Sequence, residues 1–336
     1  MNALDQIDVM FAPAQKACVE GRIPGAVLGL ITRDGTRAVR VAGFAQIVPE
    51  LVPLTRNMWF DLASLTKVIF TTHTVLTLVD QGQVALDDPL VRHIPDLRQY
   101  DSTAPERALT LRHLLAHQTH LPAVEPLYTL GQNPETLRAY ILQRVWKAGP
   151  SVYSDVNYML LGILIERVTG RPLAEHRLPE GLGFSPPSDR SVATERCTWR
   201  GRVMRGEVHD ENAFALGGAA GHAGLFGTVD GVLEHARYLL QGGGLLPQTH
   251  AEMITPVAGN RALGWEIIGP GWHGGAGHSD QTIGHLGFTG TGLWIDFKRE
   301  IAWTLLTNRV HPSRHTETGI MALRRETGSL VGSFSG

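Results

Sequence analysis

The stretch Phe60-Asp61-Leu62-Ala63-Ser64-Leu65-Thr66-Lys67 decides the reading of this chain. Ser64 and Lys67 stand three residues apart at the head of an apolar segment, 64–81. Within it Leu65, Val68, Ile69, Val75, Leu76 and Val79 cover much of a helix's circumference, and Asp80 and Gly82 mark its end. Residues three apart on a helix share a face, so the segment predicts a buried helix with a serine and a lysine side by side at its start. The first turn of a helix offers free N–H groups and the positive end of the dipole to developing negative charge. A serine hydroxyl there becomes a nucleophile when a neighbouring base takes its proton. A lysine buried among apolar residues has its pKa lowered toward that task, acting directly or through a partner. A helix cap followed by a surface lysine is the other use of the same four residues.

Two further constellations lie downstream. Tyr153-Ser154-Asp155-Val156-Asn157-Tyr158 follows the turn-forming Ala148-Gly149-Pro150 and opens a predicted helix over 155–169. Ser154 or Asp155 suits that helix as a cap; Tyr153 beside an ammonium group suits proton transfer, because nearby positive charge favours a phenolate. His285-Leu286-Gly287-Phe288-Thr289-Gly290-Thr291 falls on a predicted strand. A glycine at 287 lets a substrate backbone approach the strand edge. The N–H groups of Phe288 and Ser64 then form an oxyanion hole, and His285 presents a donor or positive charge to the substrate. A turn or bulge also explains the glycines.

Around these segments the predicted elements fall into a pattern. A helix over 3–20 precedes a hairpin of strands 25–32 and 37–44 around Arg33-Asp34-Gly35. Helices are expected at 110–117, 134–146, 155–169 and 229–241, strands at 263–268, 281–288, 291–297 and 301–307, and a last helix at 314–327. Early and late strands then share one antiparallel sheet flanked by the terminal helices. The fold class expected is α+β, an α/β sandwich with an all-helical lobe. The whole chain, 1–336, is expected to be a single domain. Its α/β part comprises 1–60 and 255–336, and its helical lobe 61–254. A cleft between lobe and sheet is the natural place for a site.

Bulk composition narrows the function. Lys plus Arg number 30 against 32 Asp plus Glu, for a net charge of −2, so no basic surplus invites nucleic acid or an anionic membrane. No stretch approaches the ~20 apolar residues of a membrane span. The N-terminus has no leader-like apolar region, so a cytoplasmic location is expected. Cys18 and Cys197 form no CxxC pair and are either two thiols or one bridge. Among 15 histidines, His113, His117 and His120, and His273, His278 and His285, lie close in sequence. Neither set comes with an H-E-x-x-H motif, so structural or surface roles are expected, with no metal and no cofactor.

In order and setting, the three constellations resemble those of the serine β-lactamase and penicillin-binding-protein superfamily. The resemblance is nearest to its class C β-lactamase-like branch, which holds D,D-peptidases, D-aminopeptidases and carboxylesterases. It spans roughly residues 8–328. It is supported by Leu86-Asp87-Asp88-Pro89, Leu111-Arg112-His113-Leu114-Leu115-Ala116-His117, Tyr158-Met159-Leu160-Leu161-Gly162 and Gly221-His222-Ala223-Gly224-Leu225-Phe226-Gly227. It implies the β-lactamase/transpeptidase-like fold, with Ser64 as nucleophile and Lys67 and Tyr153 as the base system. Three positions depart from the pattern: Asp155 stands where an Asn is usual, His285 where many β-lactamases have Lys, and Gln118-Thr119-His120 where relatives have Ser-Gly before Leu-Pro. These count against strong β-lactamase activity. Val208-His209-Asp210-Glu211-Asn212-Ala213 and the segment after Gly287 are similar to relatives linked with peptidoglycan turnover, including muropeptide amidases. Asp210 or Glu211 is expected to bind a substrate ammonium, or else to cap a solvated loop. The expected partner is a small molecule or short peptide, with β-lactams among the candidates. Three activities follow: an amidase or peptidase on cell-wall-derived peptides, a carboxylesterase on short acyl esters, or a slowly deacylating penicillin-binding sensor.

Overall fold

The computed structural model describes residues 3–334. A 3-10 turn, Ala3–Gln6, leads into α1 (Ile7–Val19), the hairpin β1 (Gly25–Thr32) and β2 (Arg37–Gln46), then β3 (Val52–Pro53) and β4 (Phe60–Asp61). The next helix starts at Leu65; its Lys67–Thr72 stretch is π-helical and it continues as α2 (His73–Asp80). There follow α3 (Leu111–Leu115), α4 (Pro134–Gln143), α5 (Asp155–Thr169) and β5 (Leu182–Gly183). Next come the hairpin β6 (Ala193–Cys197) and β7 (Arg202–Arg205), then α6 (Glu211–Ala215), β8 (Phe226–Gly227), α7 (Val229–Leu240) and α8 (Pro247–Ile254). The chain returns through β9 (Glu266–Ile267), β10 (Thr282–Leu286), β11 (Gly292–Asp296) and β12 (Ile301–Thr307), and closes with α9 (Ile320–Phe334).

Seven strands form one antiparallel sheet in the order β3-β2-β1-β12-β11-β10-β9. The early hairpin meets the late strands where β1 pairs with β12, from Ala26↔Thr307 to Thr32↔Ile301. Strand β1 is central and covered on both faces, which is why Gly25–Thr32 reads as a nearly unbroken apolar run. Its side chains still alternate. Val27 and Ile31 join the core shared with the helical region, whereas Leu28 and Leu30 pack with Ile7, Met10 and Phe11 of α1 and Leu323 and Val331 of α9. The cross-strand pair Trp294 and Trp303 stacks on that second side with ring centroids 3.8 Å apart.

Three features differ from the sequence expectation. The middle of the chain is mostly helical but also carries β5–β8, strands of two to five residues that are too short to leave a periodic signal. The last helix starts at Ile320 rather than 314, because Pro312 and the left-handed Gly319 (φ 67°) interrupt the segment before it. The strand expected over 263–268 shrinks to β9 because the residues before it make a tight turn. There Ala262 N–H donates to the Trp265 carbonyl at 2.9 Å and Gly264 N–H to that of Leu115 at 3.0 Å. Gly264 has φ 82°, and a Cβ on it would lie 2.2 Å from Thr72 Oγ1, so only glycine lets this turn rest on the π-helical segment. Both cysteines are free thiols. Among the described residues no helix is long and apolar enough to cross a membrane.

Candidate active site

The site begins at a strained turn. Ala63 has φ 47°, uncommon for a residue with a side chain. Its N–H donates to Asp61 Oδ1 (2.8 Å), its carbonyl accepts from Thr66 Oγ1 (2.6 Å), and Thr66 Oγ1 in turn accepts from Leu225 N–H (3.1 Å). The buried Asp61 also accepts from His209 N–H at 2.6 Å; burial raises its pKa despite these bonds. The turn projects Ser64 into solvent-accessible space just ahead of the helix that begins at Leu65.

Lys67 follows one turn later with no exposed surface, and its Nζ lies 2.9 Å from Ser64 Oγ. The same ammonium donates to the His222 carbonyl (3.2 Å) and sits 2.8 Å from Asp155 Oδ1. Burial works to strip its proton. The Asp155 carboxylate and the Tyr153 phenol outweigh that, and hold Lys67 above the ordinary lysine range. The expectation of a lowered lysine pKa is therefore corrected: Lys67 is a paired cation. Asp155 opens α5, whose N-cap is Ser154, so its carboxylate is fixed by the helix start. Tyr153 lies just before that cap, and Lys67 Nζ is 4.9 Å from its ring centroid.

Two imidazoles bracket Tyr153. His117, itself at φ 56°, lies 4.4 Å from the Tyr153 ring, and its Nδ1 accepts from Ser154 N–H at 3.0 Å. His285 lies 5.9 Å from the ring on the other strand-borne wall. Its Nδ1 is 3.0 Å from the Leu286 carbonyl, which can only accept, so Nδ1 carries the proton and Nε2 is left as a buried acceptor with no partner among the described residues. Burial, with Lys67 nearby, pushes the pKa of both histidines well below the usual value. The positive charge expected of His285 is therefore absent. The neutral ring offers a lone pair.

Ser64, Tyr153, Asp155 and His285 line a cleft of about 820 Å³, with Lys67 and His117 behind them. Gly287 and Phe288 form part of its wall, but the reason for the glycine differs from the expectation. A Cβ at 287 would fall 2.0 Å from Thr291 Oγ1 and 2.5 Å from the Leu62 carbonyl. The close approach is made by the protein's own nucleophile turn rather than by a substrate backbone. Thr289 and Thr291 hydroxyls complete the junction by donating to the Asp61 and Leu62 carbonyls at 2.7 and 3.1 Å. The half-exposed Phe288 ring rests on His209 and under Arg309, and Arg309 Nε donates to its carbonyl (2.9 Å). Asp210 lines the cleft, caps α6 by accepting from Ala213 N–H (2.7 Å), and lies 2.9 Å from His222 Nε2, which holds its pKa far below the usual value despite burial. Glu211 also lines the cleft and pairs through Oε1 with Arg314, which compensates its charge.

Several groups at the site were not singled out from sequence. His117 and His222 lie in segments that carried the family resemblance; the spacing of His117 raised only a metal role, which was set aside, and His222 was given none. Arg261, Glu266, Arg309, Arg314 and Arg324 line the cleft from turns, β9 and α9 with no motif to mark them. Arg324 is buried, its Nη2 donates to the carbonyls of Gly287 (2.9 Å) and Thr291 (2.7 Å), and burial pulls its pKa down to about 9. Among the described residues no three His, Cys, Asp or Glu side chains are placed to hold a metal. His113 takes part in the capping box of α3, and His273 accepts from Trp294 Nε1 at 2.9 Å.

The chain also matches known proteins in sequence and fold. The chain is 29% identical over 350 residues to the N-acetylmuramyl-L-alanine amidase of Bacillus subtilis strain 168, covering 86% of this chain and 78% of that one. It is 30% identical over 335 residues to an Escherichia coli K12 protein named "Putative D-alanyl-D-alanine carboxypeptidase", covering 84% and 76%. Among solved structures it superposes on EstCE1, described as a hydrolase with promiscuous acyltransferase activity, with a TM-score of 0.75 over 98% of this chain and 99% of that one at 21% identity. The family model described as Beta-lactamase matches residues 7–325. The chain therefore belongs to the Beta-lactamase family of serine hydrolases.

Proposed function

We propose that this hydrolase works through an acyl-enzyme on Ser64 and cleaves amide bonds in peptidoglycan-derived peptides. The observation that carries the mechanism is the Lys67 ammonium, 2.9 Å from Ser64 Oγ and compensated by Asp155 at 2.8 Å. A lysine held in its charged form cannot accept the serine proton, which leaves Tyr153, reacting as its phenolate, to take it. Lys67 then orients the hydroxyl and steadies the negative charge that passes between Ser64 and Tyr153. The N–H groups of Ser64 and Phe288, neither with a partner among the described residues, hold the oxyanion of the tetrahedral intermediate. Tyr153 returns its proton to the leaving group, and water attacks the acyl-enzyme with the same base.

The cleft supports a peptide rather than a short ester. It is wide, and it mixes Asp210, Arg261, Arg309 and Arg314 with Phe288 and Tyr128, the polar and aromatic lining a peptide needs. The two relatives named above as amidase and carboxypeptidase point to the same substrate class. A carboxylesterase is the second reading, favoured by the exposed Val124, Phe288 and Met321 at the cleft and by the likeness to EstCE1.

Purified protein and its Ser64→Ala variant are to be assayed on muropeptides, D-alanyl peptides, p-nitrophenyl acetate and butyrate, and nitrocefin. The expected result is turnover of at least one peptide and none in Ser64→Ala. Ester turnover with no peptide turnover would transfer the assignment to the carboxylesterase reading. A persistent penicilloyl adduct by mass spectrometry, with nothing turned over, would make the protein a β-lactam-binding sensor.

A further inference from the structure

The residues around Tyr153 include a cation that the mechanism above leaves unused. Arg261 stands in the turn before β9, with its guanidinium carbon 5.4 Å from the Tyr153 ring centroid. The charged and titratable groups facing Tyr153 are few. Lys67 lies on the helix after Ser64, Asp155 on the same α5 start, and His117 on the turn after α3. Tyr158 is one turn along α5, and His285 is on β10. His117 and His285 are neutral. Lys67 shares its charge with Asp155 at 2.8 Å. Among the described residues Arg261 is the second positive group beside Tyr153, and it is likewise paired, with Glu266 of β9.

Its placement is built, not incidental. Arg261 Nη1 lies 2.8 Å from Glu266 Oε1, and the other oxygen of that carboxylate lies 3.1 Å from His273 Nε2. His273 Nδ1 accepts from the indole N–H of Trp294, which is fully buried in β11. The backbone of the turn is pinned as well, by Gly264 N–H on the Leu115 carbonyl and by the fully buried Trp265. A chain of contacts thus runs from the sheet core to the guanidinium and holds it against Tyr153.

We infer that Arg261 is a positioning residue for Tyr153, supplying with Lys67 the pair of cations against which the phenolate oxygen takes and returns the proton. The inference rests on the reading that Ser64 and Tyr153 carry the reaction. In that step the proton leaves Ser64 Oγ for the Tyr153 oxygen as the Ser64 oxygen bonds to the substrate carbonyl carbon. The same proton passes to the leaving nitrogen or oxygen as its bond to that carbon breaks. Negative charge on Tyr153 is favoured before and after the transfer by each cation beside it.

The test is the pH dependence of kcat/KM for p-nitrophenyl acetate in the wild type, Arg261→Met, Arg261→Lys and the double variant Arg261→Met/Glu266→Gln. The double variant guards against misfolding caused by an orphaned Glu266 carboxylate. Loss of one nearby charge moves a titration by about one pH unit or more, or about tenfold in rate on the acid limb. Arg261→Met is therefore expected to lose about tenfold in kcat/KM at neutral pH, with the acid limb displaced to higher pH and the loss in kcat rather than KM; the double variant, which also removes the opposing Glu266 charge, is expected to show a displacement in the same direction but smaller. Arg261→Lys is expected to restore most of the rate and the position of the limb. An acid limb that stays in place in the folded Arg261→Met (or, where that variant does not fold, in the double variant), or an Arg261→Lys that behaves as Arg261→Met, would overturn the inference alone. Full turnover in Ser64→Ala would overturn the acyl-enzyme reading and the inference with it.

Discussion

Asp155 and Lys67 form an ion pair whose halves cannot be removed separately at low cost. Lys67 has no exposed surface, and the Asp155 side chain is only 17% exposed. Taking one partner from a buried pair leaves an uncompensated charge, at a cost of about 3–5 kcal/mol, whereas replacing both with apolar groups is often close to neutral. Asp155→Ala is therefore expected to destabilise the protein by about that amount. The double variant Lys67→Met/Asp155→Leu is expected to be more stable than the sum of the single losses. A double-mutant cycle by urea unfolding measures the difference; additive losses would mean that the two groups are not coupled. The pair also shows what sequence could tell at this scale. Ser64, Lys67 and Tyr153 were legible as residue types in a known order. The charge of Lys67 was not, because it depends on a carboxylate far along the chain whose distance only the fold sets. His285 teaches the same lesson: its sequence suggested a donor, and its burial and its bond to the Leu286 carbonyl make it an acceptor.

The elements that meet at Ser64 are joined by contacts rather than by motif. The β10–β11 turn, with Gly287, Thr289 and Thr291, is bolted to the Asp61–Leu62 backbone on one side and to Arg324 of α9 on the other. A Cβ at 287 would overlap both Thr291 Oγ1 and the Leu62 carbonyl. One of these is backbone and cannot rotate away. Gly287→Ala is thus expected to push the turn off the nucleophile segment and displace the Phe288 N–H, lowering kcat about 10²–10³-fold, the usual worth of one oxyanion donor. Wild-type kcat in Gly287→Ala would show that the turn can shift without moving that N–H. The legibility of these elements followed their local signals. The hairpin, the 155–169 helix and the 301–307 strand carry a turn, a cap and a continuous apolar run, and their predicted and observed limits nearly coincide. Strand β9 and helix α9 do not, because one is cut short by a turn seated on the π-helical segment and the other delayed by Pro312 and Gly319. Arg261 and Arg324 were hidden for the same reason: each reaches the site from an element whose course the local sequence does not announce.

Across the whole molecule, buried titratable groups favour neutral pH over acid. Burial lowers the pKa of His73, His117 and His285, and takes that of His235 down to about 3. Burial opposes the Glu195 and Glu266 carboxylates, but His209 and Arg314 hold the first, and His273 and Arg261 the second, at about 2. Every one of these groups binds its proton at lower pH when folded than when unfolded. As pH falls, the unfolded chain therefore takes up protons first and is favoured. Stability from the histidines is present above their unfolded value of about 6.5 and drains away below it. That from the two glutamates is lost in a second stage, as pH falls from about 4.5 toward 2. Asp61 acts in the opposite sense, since burial raises its pKa and its protonation accompanies folding in acid, but it is one group against six. Differential scanning calorimetry from pH 8 to pH 5 is thus expected to show Tm falling by more than about 5 °C, with a further fall below pH 4.5. A Tm that stays level between pH 8 and pH 5 would mean that the buried imidazoles gain protons on folding as readily as in the unfolded chain. The neutral His117 and His285 that frame Tyr153 would then be the first part of the site to reconsider.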